Sequence, residues 1–290
     1  NLKFNLEESV KRQAYTEVPT CIFYSGGLDS SIISYYSLKI DENIKLFSFL
    51  PEEINSYNND ILNAKERADF LGAKNFEYLF FKNSSLIKYL DKFSSKLYEP
   101  TADAAIIPTM FLSDVANQQG FKVVLTGDGS DELFGGYLRY KLISNYFFIN
   151  KLSKLGTKRL DIFLKGFKFN PKIRRLINVI SLINQPELLY SQLLSLNDLL
   201  IDDTNHIINV SKSLKKQIIN QHHSFLAKPL NLDSFSLFDC ISRADFSNLL
   251  NNQYLPKVDN STMLFSLEAR VPLLDDKLVN FILKNRKSFP

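Results

Sequence analysis

Residues 25–31 read Ser25-Gly26-Gly27-Leu28-Asp29-Ser30-Ser31 and follow directly on Thr20 to Tyr24, a short β-rich run entered from Pro19. Glycines after a strand let the backbone turn tightly and approach a ligand closely. Beyond them, Ile32, Ile33, Tyr36 and Ile40 recur at helical spacing and predict a helix over residues 30–40. A helix start offers unpaired N–H groups and a positive dipole end. Ser25, Ser30 and Ser31 add hydroxyl donors, and the set suits phosphate groups. A plain strand-to-helix turn capped by Asp29 or Ser30 would use the same residues. Asp29 belongs in an anion site only if a cation bridges it, and magnesium with its hard oxygen ligands would do so. The chain has neither Gly-x-x-x-x-Gly-Lys-Ser/Thr nor Gly-x-Gly-x-x-Gly, so it is neither a usual P-loop nor a dinucleotide fingerprint.

Working outward, apolar runs predict further strands at 44–50, 76–81 and 122–126. Helical spacing predicts helices over 60–71, 84–97 and 105–119, with Gly72 and Gly120 as stops. Strand and helix alternate, which predicts an α/β fold: a parallel sheet with helices on both faces. Ligands of such sheets bind beyond the carboxyl ends of the strands, so the loops after Tyr24, Leu50 and Thr126 are the ones to inspect. From about Arg139 the spacing is mainly helical. The expected organisation is an α/β core over 1–138 and a mainly helical remainder over 139–290.

Apolar residues make up 45% of the 290, enough for a sizeable core, and the net charge of +4 is too weak to argue for nucleic acid. Between Arg139 and Arg175 stand eleven basic residues and one acid, Asp161. This reads as a solvated helix face, with an anion-facing surface as the other reading. Cys21 and Cys240 form no Cys-x-x-Cys pair, so neither a disulfide framework nor a zinc site is expected and a reducing cytoplasm fits. Cys21 lies in an apolar strand and reads as a small core residue. His206, His222 and His223 have poor metal-ligand spacing. Leu176 to Pro186, one of the longer apolar runs, is far too short to span a bilayer, and the start lacks a signal-peptide core. It also lacks an initiator Met, as expected of a piece cut from a longer protein.

The second chemical motif follows the fourth strand: Thr126-Gly127-Asp128-Gly129-Ser130-Asp131-Glu132-Leu133-Phe134-Gly135-Gly136-Tyr137. Asp128, Asp131 and Glu132 would repel one another unless a metal or an ammonium group compensates. A Gly/Asp turn leading into an acidic first helical turn is the bland reading. The third motif is Ser266-Leu267-Glu268-Ala269-Arg270-Val271-Pro272-Leu273-Leu274-Asp275, whose charges read as structural ion pairs or as a polar network beside the site.

The three motifs, in this order, resemble the synthetase domain of the glutamine-dependent asparagine synthetase family, over roughly residues 5–285. The first alone resembles the pyrophosphate loop of the wider N-type ATP pyrophosphatase superfamily. The resemblance implies an adenine nucleotide α-hydrolase-like fold and an ATP to AMP and pyrophosphate reaction. A carboxylate, most simply aspartate, becomes an acyl-adenylate that ammonia converts to the amide. It implies that Ser25, Gly26, Gly27, Asp29 and Ser30 hold pyrophosphate and that Asp29 and Asp131 bind magnesium. It places Thr126 and Gly127 beside the nucleotide and the Phe49 backbone against adenine, and makes Asp128 a base toward the incoming amine. Glu99 and Asp103 match an acidic stretch near the substrate. Family members carry Arg or Lys eight residues before the motif glutamate; here that position is Asn260, and Lys257 either takes the role or is a surface lysine. The family's glutaminase domain has no counterpart in this sequence, and Cys21 cannot replace its cysteine. That domain is expected in cis or trans as the source of ammonia from glutamine, and the sequence stops at Pro290, earlier than usual. A homodimer is compatible with the resemblance. Other carboxylates (a sugar acid, a β-lactam precursor, a peptide) and a non-catalytic ATP-binding module stay open, and a tRNA-modifying pyrophosphatase shares only the first motif.

Overall fold

The computed structural model describes residues 1–53, 59–96, 103–137, 139–140 and 237–285. Five parallel strands form one sheet in the order β3-β2-β1-β4-β5: β1 Thr20–Phe23, β2 Lys45–Pro51, β3 Asn75–Phe81, β4 Val123–Leu125 and β5 Glu268–Arg270. β1 is central, pairing Cys21 with Lys45 on one side and with Val124 on the other. After β3 the chain crosses over β1 to reach β4, so the strand order reverses between β1 and β4. Crevices of this kind open beyond the carboxyl ends of the two strands, and both glycine-rich motifs lie there.

The strands form where apolar runs are buried. Cys21, Phe47, Leu79 and Val124 point to one face and pack with Leu112 and Ala116 of α6 (Ile106–Gln118) and with Leu267. Phe81, Tyr89, Ile106, Ile107, Met110 and Phe265 extend that core beneath β3 with α5 (Leu86–Ser94). Ile22 alternates to the other face, where the Tyr24 hydroxyl meets Ser31 at 3.2 Å on α2 (Leu28–Leu38). The predicted parallel sheet with helices on both faces is what forms. Cys21 is fully buried, and burial pushes its thiol well above the usual range.

Three elements depart from the sequence expectation. The helix expected over 60–71 is broken into α3 (Asn59–Leu62) and α4 (Ala64–Phe70). The Tyr78 hydroxyl of β3 accepts from the Lys65 N–H at 3.1 Å and donates to the Ile61 carbonyl at 2.8 Å. It stands where the direct i to i−4 bond between those two groups would run, and such insertion breaks helices. A helix α1 (Leu2–Ala14) precedes the sheet; its Ser9 donates to the Pro272 carbonyl and its Arg12 binds Asp275. β5 completes the edge from three residues without an apolar run, through Glu268 N–H to the Lys122 carbonyl at 2.8 Å and Thr126 N–H to the Arg270 carbonyl at 3.0 Å.

The chain divides into two compact units, Asn1–Phe134 with Asn248–Pro290, and Gly135–Ser247. The first unit holds the sheet, α1 to α6 and the short α7 (Ser130–Phe134). In its later part, π-helical residues ending at Tyr254 run into α9 (Leu255–Met263), followed by β5 and α10 (Asp276–Asn285). The second unit contains α8 (Leu237–Asp245), whose buried Asp245 accepts from Arg139 Nε at 3.0 Å and Nη2 at 2.8 Å and from the Tyr140 hydroxyl. Of the basic stretch 139–175, Arg139 is thus neutralised within its unit; residues 141–175 lie outside the described residues, as do Glu99 and the three histidines. Among the described residues, no helix is long and apolar enough to cross a membrane.

Candidate functional site

The first loop leaves the sheet at Ser25, after the Tyr24 N–H has closed β1 onto the Phe47 carbonyl at 2.8 Å. Gly26 has φ +76°, and a Cβ there would fall 3.0 Å from the Cα and Cβ of Ala64 on α4. Only glycine meets both demands cheaply. Gly27 is the N-cap of α2, and no side chain caps that helix end. The alternative of a turn capped by Asp29 or Ser30 is therefore not what forms. The serines instead brace the loop: Ser25 Oγ accepts the Gly27 N–H at 3.2 Å and meets Ser30 Oγ at 3.1 Å, and Ser30 donates to the Gly27 carbonyl at 3.2 Å. The first-turn amides of α2 remain available as anion donors.

The second loop lies against the first. A Cβ on Gly127 would stand 3.1 Å from Asp29 Cβ and 3.3 Å from the Ser30 nitrogen, so glycine is what lets the loops touch. Next to it, Thr126 is 5% exposed and its Oγ1 is buried without a hydrogen-bond partner among the described residues. Native proteins rarely leave such a group unpaired, and a ligand is one reason for it. Asp131 opens α7 a few residues on.

Lys257 projects from α9 to the same loop. Its Nζ lies 3.3 Å from Asp103 Oδ2 and 4.0 Å from Asp128 Oδ1, with the lysine side chain 11% exposed. The reading as a surface lysine is excluded. Asp103 is oriented by the Ala105 N–H at 2.9 Å, ahead of α6. Asn260, one turn beyond Lys257, is exposed. Phe49, near the carboxyl end of β2 and paired with Leu79 of β3, packs its ring against Phe81 and Phe111 with centroids 5.6 and 6.1 Å away.

The third motif has a structural part. Arg270 binds Glu268 at 2.7 Å and the Gln13 carbonyl at 2.9 Å. Asp275 takes Arg12 through two nitrogens at 3.0 and 2.6 Å and accepts the Lys277 and Leu278 N–H groups at the start of α10. The guanidinium beside it holds the Asp275 carboxyl below its ordinary range. Sequence reading did not find Arg67 of α4, whose Nη1 donates to the Gly26 carbonyl at 2.7 Å. No linear spacing signals that contact.

Asparagine synthetase 1 of Bacillus subtilis, a glutamine-hydrolyzing enzyme, is 29% identical over 279 residues, 92% of this chain and 40% of that protein. Asparagine synthetase B of Escherichia coli is 33% identical over 156 residues, 50% of this chain and 28% of its own length. The chain thus spans less than half the length of these curated relatives. A U34-tRNA thiolase from Methanococcus maripaludis matches 87% of this chain and 79% of its own at 15% identity and a TM-score of 0.35, too slight a likeness to carry an argument. Residues 1–288 match the Asparagine synthase family, and the chain belongs to that family.

Proposed function

We propose that the chain carries out ATP-dependent amide synthesis, turning aspartate, ATP and ammonia into asparagine, AMP and pyrophosphate. The observation that supports this most is the contact of the two loops at Gly127 and Asp29, beside the uncapped start of α2. A substrate carboxylate oxygen attacks the α-phosphorus, and the bond from that phosphorus to the bridging oxygen breaks. Pyrophosphate leaves toward the α2 amides and the hydroxyls of Ser25 and Ser30, which counter its charge. Ammonia then attacks the acyl carbon, AMP departs with its oxygen, and Asp128 takes the proton from nitrogen. Thr126 donates its unpaired hydroxyl to the nucleotide. Lys257, held by Asp103, offsets negative charge beside Asp128.

Magnesium fits the donor set. Among the described residues no cluster of three or more metal-ligating side chains occurs, and magnesium bound to phosphates needs only one or two carboxylates. Asp29 and Asp131 would hold it, and it would neutralise phosphate charge. A glutaminase domain, on this chain's protein or on another, supplies the ammonia in this reading, and the reaction is cytoplasmic.

Given aspartate, ATP, magnesium and ammonium, the protein is expected to release AMP and pyrophosphate one-to-one with asparagine. ADP as the product, or AMP release indifferent to aspartate, sinks the proposal.

A further inference from the structure

Arg67 and Ala64 sit three residues apart on one face of α4, and both reach Gly26. Ala64 occupies the space that a Gly26 side chain would need, at 3.0 Å, and Arg67 Nη1 grips the Gly26 carbonyl at 2.7 Å. The Gly26 carbonyl and the Gly27 N–H belong to one planar peptide and point in opposite directions. Fixing the oxygen on α4 therefore fixes the N–H on the loop side, where it reaches Ser25 Oγ at 3.2 Å. Between two glycines a peptide flips easily. The flipped form would present a carbonyl oxygen where the start of α2 offers donors, and an acceptor there repels phosphate. Among nearby residues of α9, Asn260 is exposed and neutral, and Lys257 faces Asp103 and Asp128.

We propose that Arg67 is a positioning residue of the phosphate cradle, latching the Gly26–Gly27 peptide with its N–H side toward the pyrophosphate moiety. The proposal rests on the ATP reading above. It is tested by calorimetric titration of the wild type, Arg67→Met and Arg67→Lys with pyrophosphate, ATP and AMP, each with magnesium. Arg67→Met is expected to weaken pyrophosphate and ATP about tenfold, the scale of one hydrogen bond to a charged group, and AMP less than about twofold. AMP is the control because it lacks the β- and γ-phosphates, whereas general damage to the fold would weaken all three ligands. Unchanged pyrophosphate affinity, or an equal loss for AMP, overturns the latch and leaves the ATP reading standing. A wild type that binds neither ATP nor pyrophosphate overturns both. Should Arg67→Met fail to fold, Arg67→Lys carries the test, since it keeps the charge but lacks the guanidinium fork. It is expected to lose about two- to fourfold on pyrophosphate and nothing on AMP; no loss on pyrophosphate, or an equal loss on both, overturns the latch.

Discussion

At Gly127 the space for a single methyl group decides whether the two loops can touch. Its Cβ would stand 3.1 Å from Asp29 Cβ and 3.3 Å from a backbone nitrogen, so Gly127→Ala must push the loops apart. Overpacking of this kind costs about 1–3 kcal/mol. AMP formation is expected to fall by at least about tenfold even where the variant stays folded, because a small displacement of the groups that position the phosphates costs rate steeply. Steady-state kinetics alongside thermal melts separate the two effects. Lys257 is a residue of a different kind, since its charge lies between two carboxylates. Lys257→Gln is expected to cost about 1–3 kcal/mol, because it removes a largely buried charge-assisted contact to Asp103 and the positive charge near Asp128. In a double-mutant cycle with Asp103→Asn, the costs should add to less than their sum; simple additivity would show that the pair is not coupled. Both loops were legible in sequence, because glycines and acids after apolar strands are a local pattern. In sequence Lys257 reads either as standing in for the cation missing at Asn260 or as a surface lysine, and its burial beside Asp103 and Asp128 removes the second reading without assigning the first.

At the scale of elements, β1 to β4 were readable because buried parallel strands need continuous apolar runs bounded by turns. β5 was not, since Glu268–Arg270 is polar and becomes a strand only by pairing with β4. The break between α3 and α4 was equally hidden, because it is made by a hydroxyl from another element. Tyr78→Phe removes that hydroxyl and is expected to cost about 1–2 kcal/mol in denaturant unfolding. It should also weaken pyrophosphate binding, because α4 carries Ala64 and Arg67 against Gly26. A Tyr78→Phe protein that loses stability but binds pyrophosphate as the wild type does would separate the helix break from the site.

For the molecule as a whole, the ties of α1 to the third motif join distant parts of one unit. Arg12 and Asp275 form the charged link, with Ser9 and Gln13 alongside. The Asp275 carboxyl is held below its ordinary value of 3.8, chiefly by its hydrogen bond to Arg12. A carboxylate whose folded pKa is depressed stabilises the fold above the unfolded pKa, and that stability is lost as pH falls through the folded value. Asp275→Ala is therefore expected to cost about 1–3 kcal/mol at neutral pH, with the gap from wild type narrowing as pH drops below about 4. A gap that stays constant down to acid pH would exclude the charged link as its source. The sequence by itself determined strands β1 to β4 of the sheet, the two loops at its carboxyl edge and the family chemistry they resemble, because each is written in residues close together along the chain. Only the tertiary structure decided that Lys257 faces Asp103 and Asp128, that Arg67 holds Gly26, that Tyr78 splits a helix and that Asp275 anchors α1. Those contacts join residues far apart along the chain, and no local period encodes which side chains packing will bring together.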